Sequence, residues 1–130
     1  MTKKNIKSLH IDILSFGFKY GSPVDSNIVF DVRFMPNPFY DKKLQHLTGL
    51  NKKVRDFVLN FSAVANFLKK LYALHDFLLP FYIKEKKSRL KISIGCTGGR
   101  HRSVVIAKEL GEHLKKQHYN VKIEHRDIEK

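Results

Sequence analysis

The stretch IGCTGGRHRSVVIAKEL, residues 94–110, decides the fold. It closes an alternating apolar run (Leu90, Ile92, Ile94), passes a Gly-Gly turn and enters a 3.6-residue pattern with Val105, Ile106, Leu110 and Leu114 on one face. A strand that feeds a glycine loop and then a helix is a building unit of α/β folds. It turns free backbone N–H groups and the positive helix end into one small space. Gly98 and Gly99 remove the Cβ atoms that would block an anion, and Cys96 and Thr97 lead into the turn. Arg100, His101 and Arg102 bring donors and charge, and Ser103 is placed to cap the helix or donate to a ligand oxygen. A phosphate, sulfate or carboxylate is expected here, at the C-terminal end of a strand, where open α/β sheets place ligands.

Working outward, Leu9, Ile11 and Ile13 alternate with His10 and Asp12 into a first strand that runs to about Phe16. A loop follows, and Ser22 before Pro23, with Asp25 near the first turn, predicts a short helical turn. Residues 28–32 read as a buried second strand, and residues 34–50, with Pro36, Pro38 and Gly49, as an ordered loop long enough to be functional. Val54, Phe57, Val58 and Phe61 mark a helix face, which Val64, Phe67, Leu68, Leu71 and Leu74 or His75 continue. Residues 84–91 read as a solvated connection, residues 102–117 as a helix, and Val121 and Ile123 start a last strand. Strands separated by helices predict an α/β sandwich with a largely parallel sheet, one domain over residues 1–130. With the strands parallel, Lys19, Tyr20, Asp31, Arg33 and Asn37 reach the edge that carries the glycine loop, and Thr48 and Gly49 close the long loop beside it. Asp31 and Arg33 read equally well as an internal ion pair. Phe34, Phe39 and Tyr40 read as packing residues.

Charge sets the partner class. Against 12 acidic residues stand 25 Lys and Arg, a net charge of +13. A polyanion is expected to offset it: nucleic acid, an anionic membrane surface or a phosphorylated small molecule. Residues 84–130 hold 13 Lys and Arg against 6 Asp and Glu, a denser excess than in residues 1–83. Lys84, Lys86, Lys87, Arg89, Lys115, Lys116, Lys122 and Arg126 are therefore the expected RNA contacts, too spread for a small ligand. A single cysteine excludes an internal disulfide framework and points to a reducing cytoplasm. His10, His46, His75, His113 and His118 show no metal-ligand spacing and read as surface or helix-face residues, and no cofactor signature is present. His125 and Arg126 add donors after the last strand. Residues 1–16 lack a signal-peptide core, and residues 57–83, interrupted by Lys69, Lys70, His75, Asp76 and Pro80, read as core helix and not a membrane span.

Two resemblances carry the reading further. Cys96, five residues and Arg102, followed by Ser103, resemble the skeleton of the protein tyrosine phosphatases, which implies a thiolate nucleophile and a phosphoryl-holding arginine. Gly95 stands where those enzymes usually carry His, and neither Asp31, Asp41 nor Asp76 is marked as their general acid. SFGFKYG, VFDVRFMPNP, LTGL and IGCTGGRHRSV, in that order and spacing, resemble the C-terminal domain of the RapZ/YvcJ family over nearly the whole chain. The resemblance implies an α/β unit likened to a sugar-phosphate-binding domain. Its anion pocket would use Cys96, Thr97, Gly98, Gly99, His101, Arg102 and Ser103, with Asn37 and Arg33 opposite. It also implies sensing of glucosamine 6-phosphate, binding of small regulatory RNAs, homo-oligomerisation and an endoribonuclease partner, so a binding module is expected before an enzyme. Tyr20 stands where the best-studied branch has His, and Arg100 where Lys is frequent. Full-length members carry a P-loop domain; no GxxxxGK[ST] motif occurs here, so the chain is expected to be a stand-alone version or an excised domain.

Overall fold

Four strands and three helices make up the computed structural model, which describes residues 8–130; the signal-peptide expectation for residues 1–7 lies outside them. The strands β1 (His10–Gly17), β2 (Ile28–Asp31), β3 (Arg89–Cys96) and β4 (Asn120–His125) form one sheet in the order β2-β3-β1-β4, every pair parallel. The helices are α1 (Lys52–Leu59), α2 (Ser62–Lys84) and α3 (Arg102–Lys116). The expected α/β fold is the one that forms.

Register decides which face is apolar. Ile13 lies opposite Ile92 and Ile123, and Ile92 lies opposite Ile28, so these side chains share one face with Ile11, Leu90 and Ile94. The α3 helix closes on that face, Gly111 against the Ile123 side chain. On α2, His75 turns inward against Phe30 at 5.6 Å between ring centroids. The opposite face carries Asp12, Arg89, Lys91, Lys122 and Glu124 around an open hollow of about 390 Å³. Towards the C-terminal end of the strands, the β1–β2 link crosses this face. Phe18 packs edge-on against Phe16 at 4.8 Å, Ser26 Oγ lies 2.5 Å from Ser93 Oγ, and Lys91 Nζ bonds Asp25 at 3.0 Å.

Several expectations are corrected. No helical turn starts at Ser22; the short 3-10 turn is Phe18–Tyr20, and the Asp25 carboxylate is spent on Lys91. The second strand is an edge strand, half-buried and not buried, because only Ile28 and Phe30 face the helices while Val29 is 46% exposed. Of the alternatives left open for His75, the apolar helix face is the one that forms: it is fully buried, its Nδ1 lies 2.8 Å from the Leu71 carbonyl, and burial pulls its pKa below the ordinary histidine value. Leu74 takes the exposed side instead. The solvated connection shortens to residues 85–88, since Lys84 ends α2 and Arg89 opens β3. No helix among the described residues is long and apolar enough to cross a membrane.

The crossing link also explains Gly95. A Cβ there would sit 2.5 Å from the Phe16 ring and 2.6 Å from the Phe18 ring, so the residue before Cys96 has no room for a side chain. Gly95→Ala should therefore lower stability by about 1–3 kcal/mol through overpacking. Urea unfolding checks this, and an unchanged midpoint would show that the two rings yield freely.

Candidate anion-binding cleft

Because all four strands are parallel, their C-terminal ends share one edge, and each ends in a segment that contributes to a cleft of about 380 Å³. Lys19 and Tyr20 follow β1, Asn37, Phe39 and Tyr40 follow β2, residues 96–102 follow β3, and Lys130 follows β4. Of the residues expected at the site, the structure brings Lys19, Asn37, Cys96, Thr97, Gly98, Arg100, His101 and Arg102 together along this cleft. Gly99 and Ser103 do not line it, and Ser103 is fully buried behind the loop, within 3.2 Å of Cys96 Sγ. Arg33 stands apart. It forms a bidentate pair with Asp31 (2.6 and 2.9 Å) over the Phe18 ring, so the internal-ion-pair reading is the one the structure adopts.

The glycine loop is shaped by close backbone contact. Gly99 has φ +77°, and a Cβ there would lie 2.5 Å from the Gly17 nitrogen. Both constraints demand glycine. Gly98 is the reverse case, with open space where its Cβ would be. Lys19 N–H donates to the Thr97 carbonyl at 3.1 Å and so ties the loop to the turn after β1. The N–H groups of Gly98, Gly99 and Arg100 have no acceptor among the described residues. They meet the α3 N-terminus, where His101 supplies no side-chain cap. Free N–H groups at a helix start are a seat for an anion.

The three basic side chains of the loop act differently from one another. Arg102 is 4% exposed; its Nη1 donates to the Arg33 and Met35 carbonyls at 2.8 and 2.9 Å, and its Nη2 reaches Thr97 Oγ1 at 3.4 Å. Its Nε is buried with no acceptor among the described residues. An unsatisfied donor on a buried cation is costly, and an anion would satisfy it. Arg100 spans the site, donating to the Ile128 carbonyl at 3.2 Å and the His46 carbonyl at 3.4 Å. The expectation that His101 adds positive charge is corrected: it is 6% exposed, burial pulls its pKa down, and its Nε2 lies 2.6 Å from the Leu47 carbonyl. It holds the long loop as a neutral ring.

Two features escaped the sequence reading. Asp127 is fully buried beneath the glycine loop; its Oδ2 accepts from Gly17 N–H at 2.7 Å, and Arg126 and Lys130 pair with it at 2.8 and 3.0 Å. Burial alone would raise its pKa, but these hydrogen bonds outweigh it and hold the carboxyl at about 2. The only local signal was its place just after the last strand. Phe39 and Tyr40 were read as packing residues, yet they are 49% and 82% exposed at the cleft rim, and Phe34 is 58% exposed. The turn at Pro38–Tyr40 holds Phe39 and Tyr40 outward, while Phe34 does pack, edge-on against Phe67 at 5.3 Å.

The expected RNA residues divide. Arg126 lies at the cleft end, committed to Asp127 and to the Gly21 carbonyl. Lys84, Lys86, Lys87 and Arg89 sit at the start of β3, and Lys115, Lys116 and Lys122 sit between the end of α3 and β4. These seven mark the opposite end of the sheet. Arg89 and Lys122 there share the hollow with Asp12, Asp25 and Glu124, which offset their charge.

Stability should fall in two steps on acidification. Burial holds His75, His101 and His125 below their ordinary 6.5, so the unfolded chain takes up protons that the fold refuses as pH drops through that value. Asp127 is the second step: its contribution of about 2 kcal/mol is full above the unfolded value near 4 and disappears as pH falls through about 2. Urea unfolding at pH 7, 5 and 3 checks both, and Asp127→Asn should flatten only the lower step.

Comparison with known proteins agrees with this architecture. The family model described as the RapZ C-terminal domain matches residues 9–129. A nucleotide-binding protein of Clostridium beijerinckii is 59% identical over 122 residues, 94% of this chain and 42% of that protein. Nucleotide-binding proteins of Thermoanaerobacter sp. and Ruminiclostridium cellulolyticum are 55% and 54% identical, over 96% and 98% of this chain and 44% of each protein. The chain thus spans less than half the length of the curated relatives it matches. Matched along 121 consecutive residues that include the glycine loop and the segments facing it, the chain belongs to the RapZ C-terminal domain family.

Proposed function

We propose that this domain is a cytoplasmic binding module that seats a phosphate monoester in the cleft and binds structured RNA through its basic surface. The observation that carries the first half is the buried, unsatisfied Nε of Arg102 beside free loop N–H groups. Phosphate oxygens would accept from the free N–H groups of residues 98–100 and from Arg102. A phosphorylated amino sugar such as glucosamine 6-phosphate is the first ligand to try, given the family. The +13 charge and the seven lysines and arginines at the far end of the sheet support RNA contact through phosphates and shape. Homo-oligomerisation and an endoribonuclease partner belong to the same reading. A hydrolase acting through Cys96 is the weaker reading, because among the described residues no carboxylate lines the cleft to serve as general acid.

Titration calorimetry with glucosamine 6-phosphate and inorganic phosphate tests the pocket. Arg102→Ala should weaken binding by about tenfold or more. Arg102 also holds the carbonyls of residues 33 and 35, so Gly98→Ala is the companion variant: its methyl enters open space and should spare the fold while obstructing the anion seat. Unchanged affinity in both variants would sink the assignment. RNA affinity should drop by about tenfold or more between 50 and 200 mM salt. A flat salt profile would refute the electrostatic face, and hydrolysis of an aryl phosphate that is lost in Cys96→Ser would establish the enzyme reading instead.

A further inference from the structure

The rim of the cleft does not resemble a seat for phosphate alone. Asn37 starts the Pro38–Tyr40 turn, its Oδ1 accepting from Phe39 N–H at 3.1 Å, while Pro38 is buried beneath. The turn thereby presents Phe39 and Tyr40 outward, edge to face at 5.6 Å. The same loop buries Val32, Met35 and Leu44, so an apolar layer was within reach, yet Tyr40 remains 82% exposed. Large aromatic rings left in water beside a pocket mark a binding surface. Tyr20 faces the cleft as well, with Lys130 Nζ 4.8 Å and Lys19 Nζ 5.6 Å from its ring centroid.

The chemistry of this lining is one-sided. It combines exposed rings with Lys19, Lys130 and two arginines and includes no carboxylate. A sugar's hydroxyls would find Asn37 and Thr97 but would leave the exposed rings without a task. Flat π faces beside cations are instead the means by which proteins hold a nucleobase next to its phosphates. Resting on the phosphate reading proposed above, we infer that the ligand is a 5′-phosphorylated nucleoside, its phosphate on the glycine loop and its base stacked on the face of one ring of the Phe39–Tyr40 pair, the other ring standing edge-on beside it. The same chemistry is offered by a free nucleoside monophosphate and by the 5′ end of an RNA strand, whose next phosphate would meet Lys19 or Lys130.

Calorimetry on the full chain separates these cases, with AMP, ribose 5-phosphate, glucosamine 6-phosphate, inorganic phosphate and a tetraribonucleotide with or without a 5′-phosphate as probes. AMP should bind about fivefold or more tighter than ribose 5-phosphate, since stacking one base is worth at least that factor. In the Phe39→Ala/Tyr40→Ala double variant the ratio of the two affinities should fall to about one. A 5′-phosphorylated tetranucleotide that outbinds AMP and its own 5′-hydroxyl form identifies the strand end as the ligand; AMP binding more tightly identifies the free nucleotide. AMP no tighter than ribose 5-phosphate or glucosamine 6-phosphate, with phosphate binding still sensitive to Gly98→Ala, overturns this inference and leaves the phosphate reading standing. Failure of every phosphate probe removes both.

Discussion

At the centre of the site, two backbone segments touch with no side chain between them. Gly17, at the end of β1, packs against the Gly98–Gly99 peptide, and the Asp127 carboxylate beneath binds the Gly17 N–H. The contact joins the ends of three strands: β1 supplies Gly17, β3 leads to Gly99, and β4 leads to Asp127. A buried carboxylate would be expensive alone. Here Arg126 and Lys130 pair with it, which keeps it ionised and anchors the C-terminal segment as a cleft wall. With that segment in place, Arg100 reaches the Ile128 carbonyl and Lys130 reaches the cleft. The direction in which the loop N–H groups point follows from this small piece of packing.

Much of the positive charge near the loop is structural. Arg33, Arg100 and Arg126 each hold a carboxylate or a carbonyl, and His101 is a neutral strut to the long loop. Arg102 is the exception, since one of its donors is buried and unsatisfied. In the function proposed above, anion binding rests on backbone N–H groups and a single guanidinium, with Lys19 and Lys130 at the margin. Seven further lysines and arginines lie away from the cleft, at the end of the sheet where β3 and β4 begin. In the function proposed above, the phosphate seat and the RNA-binding face are separated by the length of the strands.

A good part of this was legible beforehand. Alternation at Leu9–Ile11–Ile13 and Leu90–Ile92–Ile94 marked the central strands because a half-buried strand repeats every two residues. The glycine loop announced itself through composition, and the parallel sheet brought Lys19 and Asn37 to it as their positions after the strands implied. What failed had contributions from distant residues. Asp25 has good helix-start chemistry locally, but Lys91 of β3 takes it. His75 and Leu74 are interchangeable in a helical pattern, and only the seating of α2 on Phe30 chooses between them. Asp127 is one acid in a charged tail until Gly17, 110 residues earlier, is brought within 2.7 Å.

The sequence by itself determined the order and kind of the elements and the position of an anion-seeking loop, because periodicity, glycine turns and helix starts are written in neighbouring residues. It also determined the net charge. Only the tertiary structure decided which cations are free and which are struts, since that depends on carbonyls and carboxylates supplied by other strands. It likewise decided that Gly95 admits no side chain and that Phe39 and Tyr40 face outward. A side chain's task is set by what packs against it, and packing between remote segments is the one thing a local pattern does not encode.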